Sequence, residues 1–211
     1  LPLNQLVEPK AALLQALPPE ALVLDTGSVK QPVLAAWQPQ LPRFVGCHPM
    51  AGTAEAGVEA GVAGLFQGRP WVITPSGQES TADLEMARAL GEELGSTVLE
   101  CDPAEHDRAV AFISHMPVLV SAALLQSAAA AEPQGLLQAL ASSGFADTTR
   151  IGGGNPELGS LMARCNREAV QQALAAYSKA LHHLAEQVEG QDWTGLQQAL
   201  ASAQAVRPSF L

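Results

Sequence analysis

The sequence predicts an α/β segment over residues 1–103 followed by an all-α segment over residues 104–211. Three observations carry this. Short apolar runs lie at 21–25, 43–47, 70–74 and 96–101. Helical patterns at 29–38 and 80–94 separate the first pair and the last pair of those runs. After Cys101-Asp102-Pro103 the strand-like runs stop, and Ala and Leu dominate. Strands that alternate with helices argue for a largely parallel sheet.

In chain order, residues 3–17 read as an amphipathic helix interrupted at Pro9 and closed by Pro18-Pro19. Ala21-Leu22-Val23-Leu24-Asp25 is short and apolar throughout, as a strand buried on both faces must be. Arg43-Phe44-Val45-Gly46 is a second strand, and it leads straight into Cys47-His48-Pro49-Met50-Ala51-Gly52-Thr53. Pro70 to Thr74 and Ser96 to Cys101 complete the set. Asp102 or Pro103 then caps a helix over about 104–131, which Pro117 should kink. Further helices are expected at 134–142, 156–189 and 192–204. Between them, Ser142 to Pro156 reads as an irregular loop. Its Gly152-Gly153-Gly154 run is costly in backbone entropy and suggests a sharp bend or a close approach. A helical block so rich in Leu and Ala should pack on itself or on a second copy.

Composition narrows the function. The 211 residues suffice for one large domain or two modest ones. Net charge is −10, with 11 Lys and Arg, so no basic stripe for a nucleic acid is present. The apolar runs look shorter than the roughly 20 residues of a membrane span. The start, Leu1-Pro2-Leu3-Asn4, lacks the basic region of a signal peptide. Cys47, Cys101 and Cys165 are odd in number and widely spaced, which suits neither a disulfide nor a zinc framework. A reduced, cytoplasmic setting and no metal site are expected.

His48 is the leading candidate for chemistry. Ligands of open α/β sheets bind beyond the carboxyl ends of the strands, where this residue falls. A neutral imidazole there can take a proton near pH 7. The alternative is a histidine satisfied at a tight turn. Ser28 reads as a helix cap or as a partner of His48. Lys30 reads as a substrate or cofactor contact or as a solvated first-turn lysine. His115 could be structural or functional, whereas His106 and the His182-His183 pair read as solvated or interface residues. Cys47 has no nucleophile context.

Four blocks together resemble one family. Asp25-Thr26-Gly27-Ser28-Val29-Lys30, His48-Pro49-Met50-Ala51-Gly52, Ser114-His115-Met116-Pro117 and Ser142 to Gly154 with Asp147-Thr148-Thr149-Arg150 occur in the order and spacing of the prephenate/arogenate dehydrogenases. The resemblance covers essentially the whole chain and looks closest to the arogenate dehydrogenases of cyanobacteria. It implies the C-terminal part of a Rossmann-type nucleotide-binding domain followed by a helical substrate-binding and dimerisation domain. The implied reaction is oxidative decarboxylation of arogenate to tyrosine with NADP, or NAD, as hydride acceptor. Under the resemblance His48 is the base at the ring hydroxyl and Ser28 orients it. Arg150 pairs with the ring carboxylate, with Asp147, Ser114 and Thr53 also near the substrate. Ser28, Lys30, Pro49, Met50 and Gly52 are the implied cofactor contacts. A homodimer through the helical domain is implied as well.

Two departures from the family pattern stand out. No G-x-G-x-x-G turn follows the first strand, and Gly57-x3-Gly61-x2-Gly64 reads as a loop or short helix. Aligned on the family, the chain begins after the fourth strand, roughly two βαβ units of about 30 residues in. The pyrophosphate turn and the residue that separates NAD from NADP would lie ahead of Leu1. Secondly, Val118 stands where many prephenate-using members carry a second His, which favours arogenate. The competing readings are a prephenate dehydrogenase giving 4-hydroxyphenylpyruvate and a non-catalytic dimerisation remnant. A β-hydroxyacid dehydrogenase would need a catalytic Lys on the helical part, where only Lys179 is available.

Overall fold

The computed structural model describes residues 1–52, 57, 59 and 61–210. A sheet of four strands lies in the first half of the chain: β1 (Val23–Asp25), β2 (Phe44–Pro49), β3 (Pro70–Ile73) and β4 (Thr97–Glu100). Their spatial order is β1-β2-β3-β4. β1 and β2 run parallel, with Leu24 opposite Val45. β3 and β4 are also parallel, but β2 and β3 are antiparallel, with His48 opposite Val72. The sheet is therefore mixed, not uniformly parallel. Only the central strands are buried as the sequence suggested. β4 is mostly exposed because it has a neighbour on one side alone.

The predicted break at Pro9 separates α1 (Leu3–Val7) from α2 (Ala11–Ala16). α3 (Gln31–Trp37) packs Val33, Leu34 and Trp37 with Phe44, Leu3 and Leu6 in one apolar cluster. Trp37 stacks on Phe44 and donates its indole N–H to Leu6 O at 2.7 Å. Val45, Cys47, Trp71 and Ile73 form a second cluster with Ala87 of α4 (Thr81–Glu93). The β2 side chains thus divide between the two clusters, as the period of a strand requires.

The long helix expected over 104–131 is continuous but not uniform. α5 (Pro103–Val110) and α6 (Met116–Ala130) flank a π-helical turn over Ala111–His115. Pro117 falls in the first turn of α6, directly after the π-helical turn, and irregular turns of that kind accommodate a residue that lacks an N–H. The joined helix is long and apolar enough by composition to cross a membrane, contrary to the sequence expectation. Within the fold it packs against other helices and carries buried polar groups.

Three further differences mark the helical part. α7 (Gln134–Leu140) comes where expected, but the expected loop after it contains α8 (Ser143–Thr149). Hydroxyls of Thr148 and Thr149 bond back to the carbonyls of Gly144 and Phe145, which helps hold that short helix despite its poor formers. The helix expected over 156–189 is two, α9 (Pro156–Cys165) and α10 (Arg167–Glu189), broken at Asn166. α11 (Trp193–Val206) follows, capped by Asp192.

The sequence expectation placed a boundary at 103. By packing, Leu1–Val170 group as one unit and Gln171–Leu211 as a second, which is a division of contacts and does not bear on the expected boundary between domains. Within the first unit, the Asp107 carboxylate of α5 accepts the N–H groups of Lys30 and Gln31 and so ties the helical block to α3.

Candidate active site

The site grows from the end of β2. Phe44 to His48 are buried, and His48 retains 9% exposure. Its Nδ1 lies 2.8 Å from Nε2 of His106. On the far side, His106 Nδ1 lies 2.8 Å from Asp107 Oδ1. Asp102 caps α5 by accepting from Ala104 N and Glu105 N, and this places His106 and Asp107 one turn in, at the strand ends.

The hydrogen bonds assign the tautomers. Backbone N–H groups can only donate, and Asp107 receives one on each oxygen, from Lys30 at 2.8 Å and Gln31 at 2.9 Å. Its carboxylate therefore accepts, so His106 donates from Nδ1 and accepts at Nε2. His48 must then donate from Nδ1. Its Nε2 is left as the unprotonated nitrogen. This is the logic by which a carboxylate orients a catalytic imidazole, extended by one more ring.

Burial, followed by the neighbouring His106, Lys30 and His115, holds His48 down at about 3. Burial likewise pushes His115 down to about 4. Both rings are thus neutral at ordinary pH. In the unfolded chain they titrate near 6.5, so between about 6.5 and 3 the unfolded state binds more protons. Stability is full above pH 6.5 and is lost as the pH falls toward the folded values. Thermal melts should show a Tm that falls steadily below pH 6.5, and His115→Phe should flatten that slope. A Tm independent of pH between 7 and 4.5 would contradict the burial of neutral imidazoles.

A cavity of about 440 Å³ opens beside His48, lined among others by Thr26, Ser28, Pro49, Phe66 and Leu158. Ser28 and Pro49 therefore share a wall with His48. Ser28 makes no hydrogen bond to His48 among the described residues, and the orienting partner is His106 instead. Ser28 keeps its place on the cavity wall without touching the ring of His48. His106 was read as solvated or at an interface, yet it is 3% exposed. The usable signal was the His-Asp pair one turn after a capped helix start at a strand end.

Lys30 is also corrected. Its ammonium bonds to both oxygens of Asp25 at 2.6 Å and to the carbonyl of Cys47, and the side chain is fully buried. With its donors engaged it joins the ends of β1 and β2 and offers nothing to a cofactor. Burial pushes Asp25 up and Lys30 down despite the pairing, so the pair is a geometric clamp more than a source of stability. Cys47, with its thiol pushed up to about 12 by burial, is a core residue.

Met50 lines a different cavity, of about 460 Å³, with Val72, Leu99, His106 and Ile113. Gly52 is exposed, with open space where a side chain would stand. Thr53 lies outside the described residues. Ser114 is half-buried in the π-helical turn, while Asp147 and Arg150 are exposed, at and just after the end of α8. None of these three lines the His48 cavity. Asn166, unremarked in the sequence, donates to Asp107 O at 2.7 Å and lies 3.2 Å from His115 Nδ1. Breaking the helix at Asn166 turns this amide toward the site.

The architecture has known counterparts. Family models described as the prephenate dehydrogenase nucleotide-binding domain and the prephenate dehydrogenase dimerization domain match residues 1–100 and 102–202. A solved structure of Synechocystis arogenate dehydrogenase superposes with a TM-score of 0.82 at 39% identity, over 99% of this chain and 75% of that one. The chain belongs to the prephenate dehydrogenase family. Within that family, the Aquifex aeolicus prephenate dehydrogenase in complex with hydroxyphenyl propionate and NAD+ superposes with a TM-score of 0.92. It is 29% identical and is covered over 74% of its length by the whole of this chain. The prephenate dehydrogenase of Bacillus subtilis is 30% identical over 82% of this chain. The chain spans about half of that relative, 48% of its length. As a prephenate dehydrogenase family member, it combines part of a Rossmann-like nucleotide-binding domain with a helical dimerisation domain. The reading as a β-hydroxyacid dehydrogenase falls with this assignment.

Proposed function

We propose that this chain carries the substrate-side half of an arogenate dehydrogenase, which converts arogenate to tyrosine and CO2 with NADP as hydride acceptor. The observation that carries the reading is the His48–His106–Asp107 relay, which leaves His48 Nε2 unprotonated on a cavity wall. The nicotinamide, when bound, supplies the hydride acceptor. Thr26 and Ser28 hydroxyls and the apolar walls of Leu6 and Phe66 suit its ring end and a cyclohexadienol, and 440 Å³ falls within the range of small-molecule sites. No G-x-G-x-x-G turn follows the first strand of this sequence to receive the dinucleotide's pyrophosphate.

His48 Nε2 accepts the C4 hydroxyl proton as C4 gives up its hydride. A base depressed to about 3 suffices because loss of hydride leaves a protonated carbonyl oxygen, far more acidic than an alcohol. His106 and Asp107 hold the ring of His48 in register and fix its tautomer. The ring carboxylate then leaves as CO2, its electron pair passes through the ring to the C4 oxygen as the ring becomes aromatic, and His48 returns its proton to that phenolate oxygen.

Arogenate is favoured by Val118 in place of a second histidine and by the 39% identity to the Synechocystis enzyme. Prephenate is the second reading, supported by the similarity to the Aquifex and Bacillus proteins. We place Arg150 on the ring carboxylate, with Asp147 and Ser114 near it. A homodimer would cover exposed apolar residues such as Leu136, Leu140, Leu181 and Leu200. The deciding experiment offers the full-length protein arogenate and prephenate in parallel, each with NADP and NAD, and follows nicotinamide reduction. Turnover on arogenate with NADP is expected. Turnover on prephenate alone would move the assignment to the second reading, and none at all would leave a dimerisation remnant.

A further inference from the structure

We infer that Ser121 is a positioning residue for Arg150, holding from both sides the turn that presents its guanidinium. This rests on the proposal that Arg150 grips the ring carboxylate. Ser121 lies in the second turn of α6 and is 2% exposed. Its hydroxyl donates to Thr148 O at 2.9 Å and accepts from Gly152 N at 2.8 Å. One oxygen therefore spans the residues before and after Thr149-Arg150-Ile151. Gly152 N also reaches Thr149 O at 3.1 Å, closing the turn on itself.

Gly152 is what permits the contact. A Cβ there would stand 2.4 Å from Ala122 N and 2.5 Å from the carbonyl carbon of Ser121, both backbone atoms that cannot move aside. The hydrogen of glycine is the only substituent that lets the turn lie against α6. The close approach suggested by three consecutive glycines is thus made by the first of them. Thr149 points inward, 7% exposed, while Arg150 points out. The turn is fastened on its buried side and free on its functional side. Ser114, seven positions before Ser121, lies on the same continuous helix. The clamp therefore ties the cation to the element that carries another expected substrate contact.

The test is a double-mutant cycle in the full-length enzyme, with cofactor saturating and arogenate or prephenate varied. Loss of both hydrogen bonds loosens the turn that presents the guanidinium and predicts a rise in KM on the order of tenfold for Ser121→Ala, with kcat within about twofold. Ser121→Thr, which keeps the hydroxyl, should recover most of it. In an Arg150→Ala background the Ser121→Ala penalty should vanish, because Ser121 acts through Arg150. If Arg150→Ala raises KM but the Ser121→Ala effect is absent, or persists undiminished in that background, the clamp is overturned. If Arg150→Ala leaves KM unchanged, it is the reading of Arg150 that fails. Should Ser121→Ala not fold, Ser121→Cys, similar in size but a weak donor, enters the same cycle with the same outcomes.

Discussion

His48→Asn should lower kcat by about 10³-fold, within the range that a positioned general base contributes, and leave dinucleotide affinity within about twofold. Asn can still donate its amide N–H toward His106 Nε2, where the imidazole donates from Nδ1 at 2.8 Å. It has no atom in the place of Nε2. Folding and cofactor contacts are therefore kept while the proton acceptor is removed. Steady-state kinetics and a binding titration on the same preparation separate the two. Turnover within about tenfold of wild type, about 1.4 kcal/mol of barrier, would sink the base assignment.

The relay makes a graded companion to this result. His106→Ala leaves His48 in place but frees its ring and its choice of tautomer. An intermediate loss in kcat, roughly 10- to 100-fold, should follow from misorientation alone. A full loss equal to that of His48→Asn would show that the two rings act as one unit. No loss would show that the 2.8 Å contacts are only structural.

Arg150→Ala carries the second large effect. A bidentate, charge-assisted pair with a carboxylate is worth about 2–3 kcal/mol, so kcat/KM should fall by roughly 100-fold, mostly through KM. Arg150→Lys should recover only part, since an ammonium cannot match both carboxylate oxygens. The guanidinium is exposed after α8 and free to take a ligand, and it lies outside the cavity beside His48. The ratio of rates with NADP and NAD should not change. A shifted cofactor preference would assign Arg150 to the dinucleotide instead.

Much of the fold was legible because it depends on local pattern. Each of β1 to β4 falls within or across a short apolar run, and the breaks at Pro9 and at Pro18-Pro19 follow from missing amide hydrogens. His48 was legible as a candidate because a strand end is a place the sequence can locate. What failed were readings that required knowing a neighbour. Lys30, at the start of a helix, looks solvated until Asp25 and the Cys47 carbonyl enclose it. The glycine-rich stretch looked like loop because α8 is held in part by threonine hydroxyls bonding to its own carbonyls, a choice that local composition leaves open.

By itself the sequence determined the alternation of strands and helices, the acidic net charge, and the blocks that carry the family resemblance. These are properties of residues in order along the chain. Tertiary structure alone decided the direction of β3, the π-helical turn before Pro117, and the partner of His48. That partner is 58 residues away in the chain, and Asp107, which sets its tautomer, is itself anchored to amides 76 and 77 residues distant. Hydrogen bonds of that kind depend on where the backbone of one element meets another, and no local propensity encodes such a distance.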